Sequence, residues 1–304
     1  MNNIHLPYWE GWIVTYFFIG GLAGGAYFIA CLLDLMHYGS GRAITRVGWA
    51  IAFPAALVCA VCLILDLGMP ERFINMVINV KAMLPTPKIH SPISVGSYII
   101  LVFSGLSFVH FLRLMVDKDM FKGGIAKLVQ TLTTGTWGRI ISALGALFGL
   151  LLAGYTATLL ATTHFAAWKD SPLIGTLFVA SGVSTGLAAI GLILAMRNEK
   201  MSNDVWSSLK RADNFAIIVE IVALVLMLIT LGGSAAPYLK PFTATLLIGG
   251  TLLCGLLIPL ILQWKPAFAG AHASASITIG AALLILLGGL ILRLVIVLAP
   301  QGFI

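Results

Sequence analysis

The chain has 304 residues, of which 60% are hydrophobic and only 10% are charged. Because soluble domains carry about 25% charged residues, this composition excludes a water-soluble enzyme, a nucleic-acid-binding module and a disordered chain. Scattered basic residues in such a chain set its membrane topology, so the net charge of +7 does not indicate nucleic-acid binding.

Apolar segments of roughly 20 residues, the length that crosses a bilayer, recur along the whole sequence. They predict an all-α, polytopic membrane protein with eight transmembrane helices at residues 12–37, 46–68, 93–116, 139–162, 172–196, 215–232, 242–263 and 275–299. Most Lys and Arg residues fall beside the loops after the first, third, fifth and seventh spans, which places those loops in the cytoplasm. Both the N-terminus and the C-terminus are therefore expected outside.

Small-residue clusters occur in the first helix of each half of the chain. Residues 20–25 read GGLAGG and residues 181–186 read SGVSTG, at similar depths in their spans. Such clusters indicate close helix packing, and their correspondence is compatible with a parallel repeat. We expect two four-helix bundles, formed by residues 1–165 and residues 166–304.

The predicted outer loop at residues 69–92 is the longest connection on that face. Its apolar residues between Ile74 and Leu84 suit a short helix lying on the membrane surface. Pro85 and Pro87 then end that helix. A loop of this length in a compact membrane protein tends to be functional rather than a mere connector.

Acidic, phenolic and aromatic side chains gather at the predicted outer ends of the first, second and fourth spans. Ionisable groups inside a bilayer are costly and are functional candidates by default. A quinone head group needs this combination, because Tyr or His donates to its carbonyl, a carboxylate or His exchanges protons, and aromatic rings flank it. The principal candidates are Tyr16, Asp66 and Tyr155, with Glu10, Trp12, Glu71, Arg72 and His90 as further cofactor-binding residues.

Some of these candidates have simpler interpretations. Trp12, like the neighbouring Trp9, could belong to an interfacial aromatic belt, and Glu71 with Arg72 could form a local ion pair. Asp66 and Tyr155 are harder to explain in this way, because each lies inside its predicted span.

Two carboxylates, Asp34 and Glu220, lie in the predicted inner half of the membrane. Both could belong to a proton path from the cytoplasm to the outer site. Glu220 is also interpretable as a neutral carboxyl group that is hydrogen-bonded between helices and has a structural role.

Residues 65–73 (LDLGMPERF) resemble the D-L-G-x-P-E-R-F signature of the NrfD/PsrC-type membrane subunits. These subunits are the quinone-reactive anchors of polysulfide reductase and related molybdenum and iron–sulfur oxidoreductases. Further segments agree in matching order, namely residues 12–25, 155–160, 181–186 and 289–293. The resemblance covers nearly the whole chain, and the D-L-G-x-P-E-R-F run is its most specific part.

The resemblance implies a subunit without a haem or an iron–sulfur cluster of its own, which binds menaquinone or ubiquinone near the outer face. It implies two partners: a ferredoxin-like iron–sulfur subunit and a catalytic subunit that carries molybdopterin or several haems. Such a complex lies in the cytoplasmic (inner) membrane of a bacterium or archaeon, in contact with lipid. The chain would be a membrane subunit of a quinone-dependent oxidoreductase and would not be catalytic alone.

The resemblance also carries over to two site residues. The quinone pocket of the polysulfide reductase subunit uses a Tyr of the fourth helix, whose place resembles that of Tyr155. It also uses a polar residue of the first helix at the position of Tyr16, but that residue is His in polysulfide reductase, so the proton-exchange role does not transfer directly. The loop departs as well, because residues 85–92 (PTPKIHSP) are longer than the family's P-T-S-P and His90 lies outside that pattern.

The sequence itself argues against a haem or metal centre. A transmembrane b-type haem needs a pair of axial ligands, and no two of the six His residues lie at similar mid-membrane depth on two spans. The Cys59-x-x-Cys62 motif has no second ligand pair near it in the sequence, so no metal site is expected. Electrons must then come from another chain.

A secondary transporter or proton-conducting membrane protein is the alternative function, with Asp34, Asp66 and Glu220 as relays. Two four-helix halves suit a transporter equally well. However, Pro54 and Pro259 are the only Pro residues placed to break a span and expose its backbone to an ion.

Overall fold

The computed structural model describes residues 9, 11–36, 41–67, 69–79, 86–87, 91–197, 203–264 and 275–304. Within these residues the chain is almost entirely helical, and eight helices are long and apolar enough to cross a membrane. They are Gly11–Leu35, Arg42–Asp66, Pro92–Val116, Gly135–Ala161, Ile174–Met196, Val205–Leu239, Pro241–Gln263 and Ser276–Leu298. The prediction of an all-α, polytopic membrane protein with eight spans is therefore confirmed.

The α-helices are numbered in chain order. Seven long helices are α1 (Gly11–Leu35), α2 (Arg42–Asp66), α4 (Pro92–Val116), α6 (Gly135–Ala161), α8 (Ile174–Met196), α9 (Asn203–Leu231) and α12 (Ala275–Leu298). The seventh crossing combines α10 (Pro241–Ala244), a π-helix (Thr245–Leu257) and α11 (Ile258–Trp264). Shorter helices in the connections are α3 (Ile74–Val77), α5 (Gly124–Thr133) and α7 (Ala166–Lys169).

The sixth crossing is longer than its apolar run. The sequence predicts a span at residues 215–232, whereas α9 begins at Asn203 and leads into a 3₁₀ helix at Gly232–Leu239. The polar residues at the start of α9 include good helix formers such as Lys and Arg, which extend the helix without adding to the apolar signal. As a result, Glu220 lies well inside α9 rather than near its beginning.

The structure of the loop after α2 differs from its prediction. A helix was expected from Ile74 to Leu84, but α3 ends at Val77, and β1 (Ile78–Asn79) pairs antiparallel with β2 (Thr86–Pro87). Residues 80–84 of that prediction lie outside the described residues. The β-branched residues of this segment favour extended structure over helix. The hydroxyl of Tyr98 in α4 donates a hydrogen bond to the Val77 carbonyl, which holds the loop against the first turns of α4.

Helix α1 occupies the centre of the fold and packs against α2, α6, α8 and α12. Glycines make this possible where α1 meets α6. A Cβ on Gly24 would lie 2.5 Å from the carbonyl oxygen of Gly149, and one on Gly149 would lie 2.7 Å from the carbonyl oxygen of Gly24. Only residues without a side chain let two helix backbones approach so closely.

Contacts at both ends define the directions of the first four spans. Tyr155 near the end of α6 contacts Pro92 at the start of α4, whereas Ser142 near the start of α6 contacts Asp34 near the end of α1. We name these two ends the Tyr16 end and the Asp34 end. The division into two bundles at residues 1–165 and 166–304, and the outside location of both termini, stay predictions.

Candidate functional site

Tyr16 lies near the start of α1, with 1% of its surface exposed. Its ring centroid is 5.6 Å from that of Phe17, and its carbonyl accepts a weak hydrogen bond from the Cys59 thiol of α2, with 4.0 Å between sulfur and oxygen. Within the described residues the Tyr16 hydroxyl forms no hydrogen bond. Leaving a buried polar group unpaired costs roughly 1–3 kcal/mol, so a ligand that accepts this hydrogen bond would be favoured here.

Tyr155 lies near the end of α6, on the same side of the fold as Tyr16. Its hydroxyl donates a hydrogen bond to the carbonyl of Pro92, the first residue of α4. Its ring lies flush against Gly96, where any Cβ would overlap with it. Tyr16 and Tyr155 belong to one buried cluster and interact electrostatically. The structure therefore places these two predicted site residues in the same buried core, with Tyr155 beside the start of α4.

Asp66 is the last residue of α2 and is half-buried. Its spacing from Cys59 and Cys62 puts all three on one face of α2, and Cys59 on that face contacts Tyr16. Asp66 interacts electrostatically with Cys62 and lies two turns beyond Cys59, about 10 Å along the helix axis. Asp66 thus lies on the face of α2 that contacts Tyr16, two turns nearer the end of the helix.

The other cofactor-binding candidates do not join Tyr16 in the described part of the chain. Trp12 is 50% exposed, which suits an interfacial belt. Glu71 and Arg72 are exposed on a 3₁₀ helix that follows α2. Glu10 and His90 lie outside the described residues, and their roles stay predictions.

Trp9, Phe17 and Trp168 form an aromatic cluster beside Tyr16. The Trp9 ring stacks on Trp168 at 5.5 Å and 15° and meets Phe17 edge-on at 6.2 Å. The Gln301 side chain pairs with the Trp9 backbone, accepting its N–H at 2.8 Å and donating to its carbonyl at 3.0 Å. A Trp in the short connection between the fourth and fifth spans is the sequence signal for this cluster.

The two inner-half candidates lie apart from this cluster. Asp34 is 18 residues beyond Tyr16 in α1, about 27 Å along the helix axis at 1.5 Å per residue. Its carboxylate accepts a hydrogen bond from Ser142 at 2.6 Å. Sequence reasoning did not single out Ser142, because a lone Ser in an apolar span gives no hint of its partner.

Glu220 in α9 is 1% exposed, and Arg293 in α12 is 2% exposed. The two side chains interact electrostatically. The Arg293 guanidinium also donates from Nη2 to the Phe178 carbonyl at 3.0 Å and lies 3.9 Å above the centroid of the Phe178 ring. Within the described residues Glu220 Oε2 and Arg293 Nε and Nη1 form no hydrogen bonds. This arrangement suits either a structural role or a proton path.

The Tyr16 end offers phenol groups, a carboxylate at the rim and stacked indole rings. Phenols donate hydrogen bonds to carbonyl oxygens, and a carboxylate exchanges protons with water. These groups inside an apolar cluster suit a flat, largely apolar ligand with carbonyl oxygens. Among the described residues no group of three His, Cys, Asp or Glu side chains could hold a metal ion.

A family comparison covers nearly all of the chain. The sequence profile described as "Polysulphide reductase, NrfD" matches residues 2–304. The chain belongs to the NrfD family. The resemblance seen in residues 65–73 and in the other segments is thereby confirmed.

One relative of this NrfD protein is the C subunit of polysulfide reductase from Wolinella succinogenes. It is 25% identical over 312 residues, which cover 97% of this protein and 95% of the relative. Because the match runs over nearly the full length of both proteins, it includes α1, α2 and α6, the helices that carry Tyr16, Asp66 and Tyr155.

Proposed function

We propose that this NrfD-family protein is the quinone-reactive membrane anchor of a multi-subunit oxidoreductase. At the Tyr16 end, menaquinone or ubiquinone is reduced, or the corresponding quinol is oxidised. Electrons pass to or from an iron–sulfur subunit that docks on this end at the outer face of a bacterial or archaeal cytoplasmic membrane. A catalytic subunit then completes the reaction with the terminal substrate.

The buried hydroxyl of Tyr16 is the observation that carries this proposal, because it forms no hydrogen bond within the described residues. A quinone carbonyl would accept that hydrogen bond, and the quinone ring would lie among apolar and aromatic side chains such as Phe17. An apolar pocket with a few placed polar groups is the usual design of a small-molecule site. The residues present therefore fit a quinone.

Each of the three principal residues has a role in this proposal. Tyr16 donates to a quinone carbonyl. Tyr155 already donates to Pro92, but a phenol oxygen also accepts, so it can receive the O–H of a quinol. Asp66 at the rim exchanges protons between the site and outer water.

Membership of the NrfD family supports the proposal that this protein has partner subunits. The relative is named as one lettered subunit of polysulfide reductase, a name that implies further subunits in that enzyme. This protein would likewise act as the membrane subunit of a reductase complex. Its partners would be an iron–sulfur subunit and a catalytic subunit carrying molybdopterin or several haems.

The proposal is tested by purifying the protein from its native membrane in mild detergent and analysing what accompanies it. We expect iron–sulfur and catalytic subunits to co-purify, and mass spectrometry of a lipid extract to find quinone. The Tyr16→Phe complex should retain its subunits but lose the quinone. Tyr238→Phe is the matched control, since Tyr238 is a fully buried Tyr whose hydroxyl already has an acceptor, the Ala167 carbonyl at 3.5 Å.

Two results would contradict the proposal. One is a homo-oligomer without partner subunits that catalyses substrate-dependent flux in vesicles, which would favour a transporter. The other is a complex whose quinone content is the same in Tyr16→Phe as in the wild type, which would remove the assigned site.

A further inference from the structure

Three buried side chains from α8, α9 and α11 meet in the second half of the chain. Asp213 of α9 is 6% exposed, and its Oδ2 accepts a hydrogen bond from Nε2 of Gln263 in α11 at 2.8 Å. Ser184 of α8 interacts with the same carboxylate. Within the described residues, however, Asp213 Oδ1, Gln263 Oε1 and Ser184 Oγ form no hydrogen bond of ordinary geometry. The junction of the three helices thus contains several unpaired oxygen atoms.

The hydrogen bond between Gln263 and Asp213 fixes the orientation of the Gln263 amide. An ionised carboxylate can only accept hydrogen bonds, so the amide nitrogen faces Asp213 and the amide oxygen remains an acceptor. Because the two groups are in contact, Gln263 Oε1 and Asp213 Oδ1 lie close together. The junction therefore has more acceptors than donors, and a cation would satisfy them.

Asp213 has no cationic partner in the described part of the chain, where it forms no salt bridge. Arg293, the buried cation of this half, interacts with Glu220 instead. Glu220 lies two turns beyond Asp213 in α9 and adds a second negative charge to its surroundings. Buried charges are normally paired or bound to metal ions, because desolvation of an isolated charge is expensive.

The Asp213 carboxylate and the Gln263 amide line a small cavity of about 40 Å³. Its other walls are mainly apolar and include Leu187, Ile277 and Ile285. A cavity of this volume holds roughly two or three water molecules, whereas pockets for organic ligands usually have about 300–1,000 Å³. The cavity is therefore too small for a quinone or a lipid head group, but it has room for a small ion with some of its water.

We propose that this junction binds one monovalent cation, and that the ion is Na⁺. Hard cations prefer oxygen ligands of the carboxylate, amide and hydroxyl kinds, and Asp213, Gln263 and Ser184 supply one of each. Water in the cavity completes the ligand shell. One carboxylate balances one positive charge, whereas Ca²⁺ takes about 6–8 oxygen ligands and Mg²⁺ keeps several of its waters.

The cation site lies away from the proposed quinone site. Phe178 near the start of α8 packs on Phe17 at 6.1 Å, at the Tyr16 end of the fold. Gly191 of the cavity wall lies 13 residues further along α8, about 20 Å along the helix axis. The Lys and Arg bias predicts that this opposite end faces the cytoplasm. The cation site does not depend on the proposed function.

Lys210 lines the same cavity and opposes the binding of a cation. It precedes Asp213 by three residues, so both lie on one face of α9, with Lys210 about 4.5 Å nearer the start of the helix. Its positive charge repels an ion bound to the carboxylate. Lys210→Met should therefore bind Na⁺ more tightly than the wild type, because it removes this charge and leaves the three oxygen ligands in place.

The test measures Na⁺ binding to the protein purified with its partner subunits in mild detergent. Choline chloride replaces NaCl at constant ionic strength, because choline is too large for the cavity. Isothermal titration calorimetry with NaCl should find one bound Na⁺ per chain. NaCl should also raise the unfolding temperature above its value in choline chloride, and KCl should raise it less.

Variants assign the binding to the three side chains. Asp213→Asn keeps the shape of the side chain but removes its charge, so the affinity for Na⁺ should fall at least tenfold, and Gln263→Leu should lower it as well. Asp117→Asn is the matched control, since Asp117 is a carboxylate at the Asp34 end that pairs with Arg113 at 2.9 Å. It should keep the wild-type affinity. Lys210→Met gives the second test if Asp213→Asn lowers the yield of the complex.

Equal unfolding temperatures in NaCl and choline chloride, with no heat of binding, would overturn the site and show that Asp213 is protonated or hydrated instead. Wild-type affinity in Asp213→Asn, or weaker binding in Lys210→Met, would also overturn it. Equal stabilisation by KCl and NaCl would overturn the assignment to Na⁺. A complex that binds Na⁺ as expected but contains no quinone would contradict the proposed function alone.

Discussion

Gly25 of α1 lies directly against Gly182 of α8, so closely that a Cβ on Gly25 would overlap with the Gly182 carbonyl. Both glycines belong to the small-residue clusters at residues 20–25 and 181–186. These clusters occupy similar places in the two halves of the chain, and their backbones also contact each other. The contact joins the first and the fifth span.

Gly25→Leu is expected to prevent normal assembly of the fold. Overpacking usually costs about 1–3 kcal/mol, and here the added side chain meets backbone that cannot rotate away, so the loss should reach the upper end of that range or beyond. The measurement is the yield of monodisperse protein in detergent and its unfolding temperature. Gly105→Leu in α4 is the control, because a Cβ there meets no atom within 4 Å. Equal stability of the two variants would contradict the packing argument.

These glycines also show what the sequence can predict. Their clustering correctly predicted close helix packing, but a small residue says only that some backbone approaches, not which one. Apolar runs predicted all eight spans, yet they missed the polar start of α9, because a helix that leaves the bilayer has no need of apolar residues. The prediction failed at residues 78–79 for a related reason: apolar spacing alone does not show where a short helix ends and a strand begins.

The position of two candidate site residues at one end of the fold could be predicted from the sequence, whereas their roles stay predictions. Topology places Tyr16 and Tyr155 at one end of the fold, and the structure places both in the same buried core. The sequence does not single out Tyr27 and Ser142, because a hydrogen bond between distant helices leaves no periodic pattern in the sequence.

Tyr16→Phe and Tyr155→Phe are each expected to lower quinone-linked turnover of the complex by about a hundredfold or more. The reason is the loss of a hydrogen bond or proton transfer at the reacting oxygens, which typically contributes 10²–10⁴-fold. Asp66→Asn should have an effect of the same order, through slower proton exchange at the rim. Turnover is measured with a soluble quinone or quinol analogue and the natural partner subunits.

The subunit content of the complex distinguishes an effect on the site from misfolding in these variants. Subunit content should be unchanged in all three, and Tyr238→Phe should retain wild-type turnover. Normal turnover in Tyr155→Phe and Asp66→Asn together would remove the site assignment.

Arg293→Met is expected to destabilise the protein by roughly 1–3 kcal/mol, the usual cost of leaving a buried hydrogen-bond acceptor without its donor. Glu220 would lose its buried cation, and the Phe178 carbonyl would lose its donor. Arg293→Lys should restore little, since a lysine ammonium cannot both stack on a ring and reach the carbonyl as a planar guanidinium does. Thermal unfolding in detergent measures this, with Arg197→Met at an exposed helix end as control.

Glu220→Gln distinguishes the two interpretations of that carboxyl group. If its role is structural, the variant loses stability but releases the same number of protons per electron as the wild type. A lower proton ratio with normal electron transfer would instead assign Glu220 to a proton path. The measurement is proton release from vesicles that contain the whole complex.

Gln301→Leu is expected to loosen the start of α1. It removes two hydrogen bonds to the Trp9 backbone, each worth about 1 kcal/mol, so local opening should become at least tenfold more frequent. Hydrogen exchange of the first turns of α1 measures this opening. Gln130→Leu on exposed α5 is the matched control.

The Gln301→Leu variant also tests whether the two hydrogen bonds to the Trp9 backbone matter for the proposed quinone chemistry. Trp9 contacts Phe17, the neighbour of Tyr16, so a loosened Trp9 lets the Tyr16 phenol leave its position more often. Quinone-linked turnover should therefore fall while subunit content stays constant. Faster exchange with unchanged turnover would mean that the Trp9 cluster only fastens the chain end and has no part in positioning Tyr16.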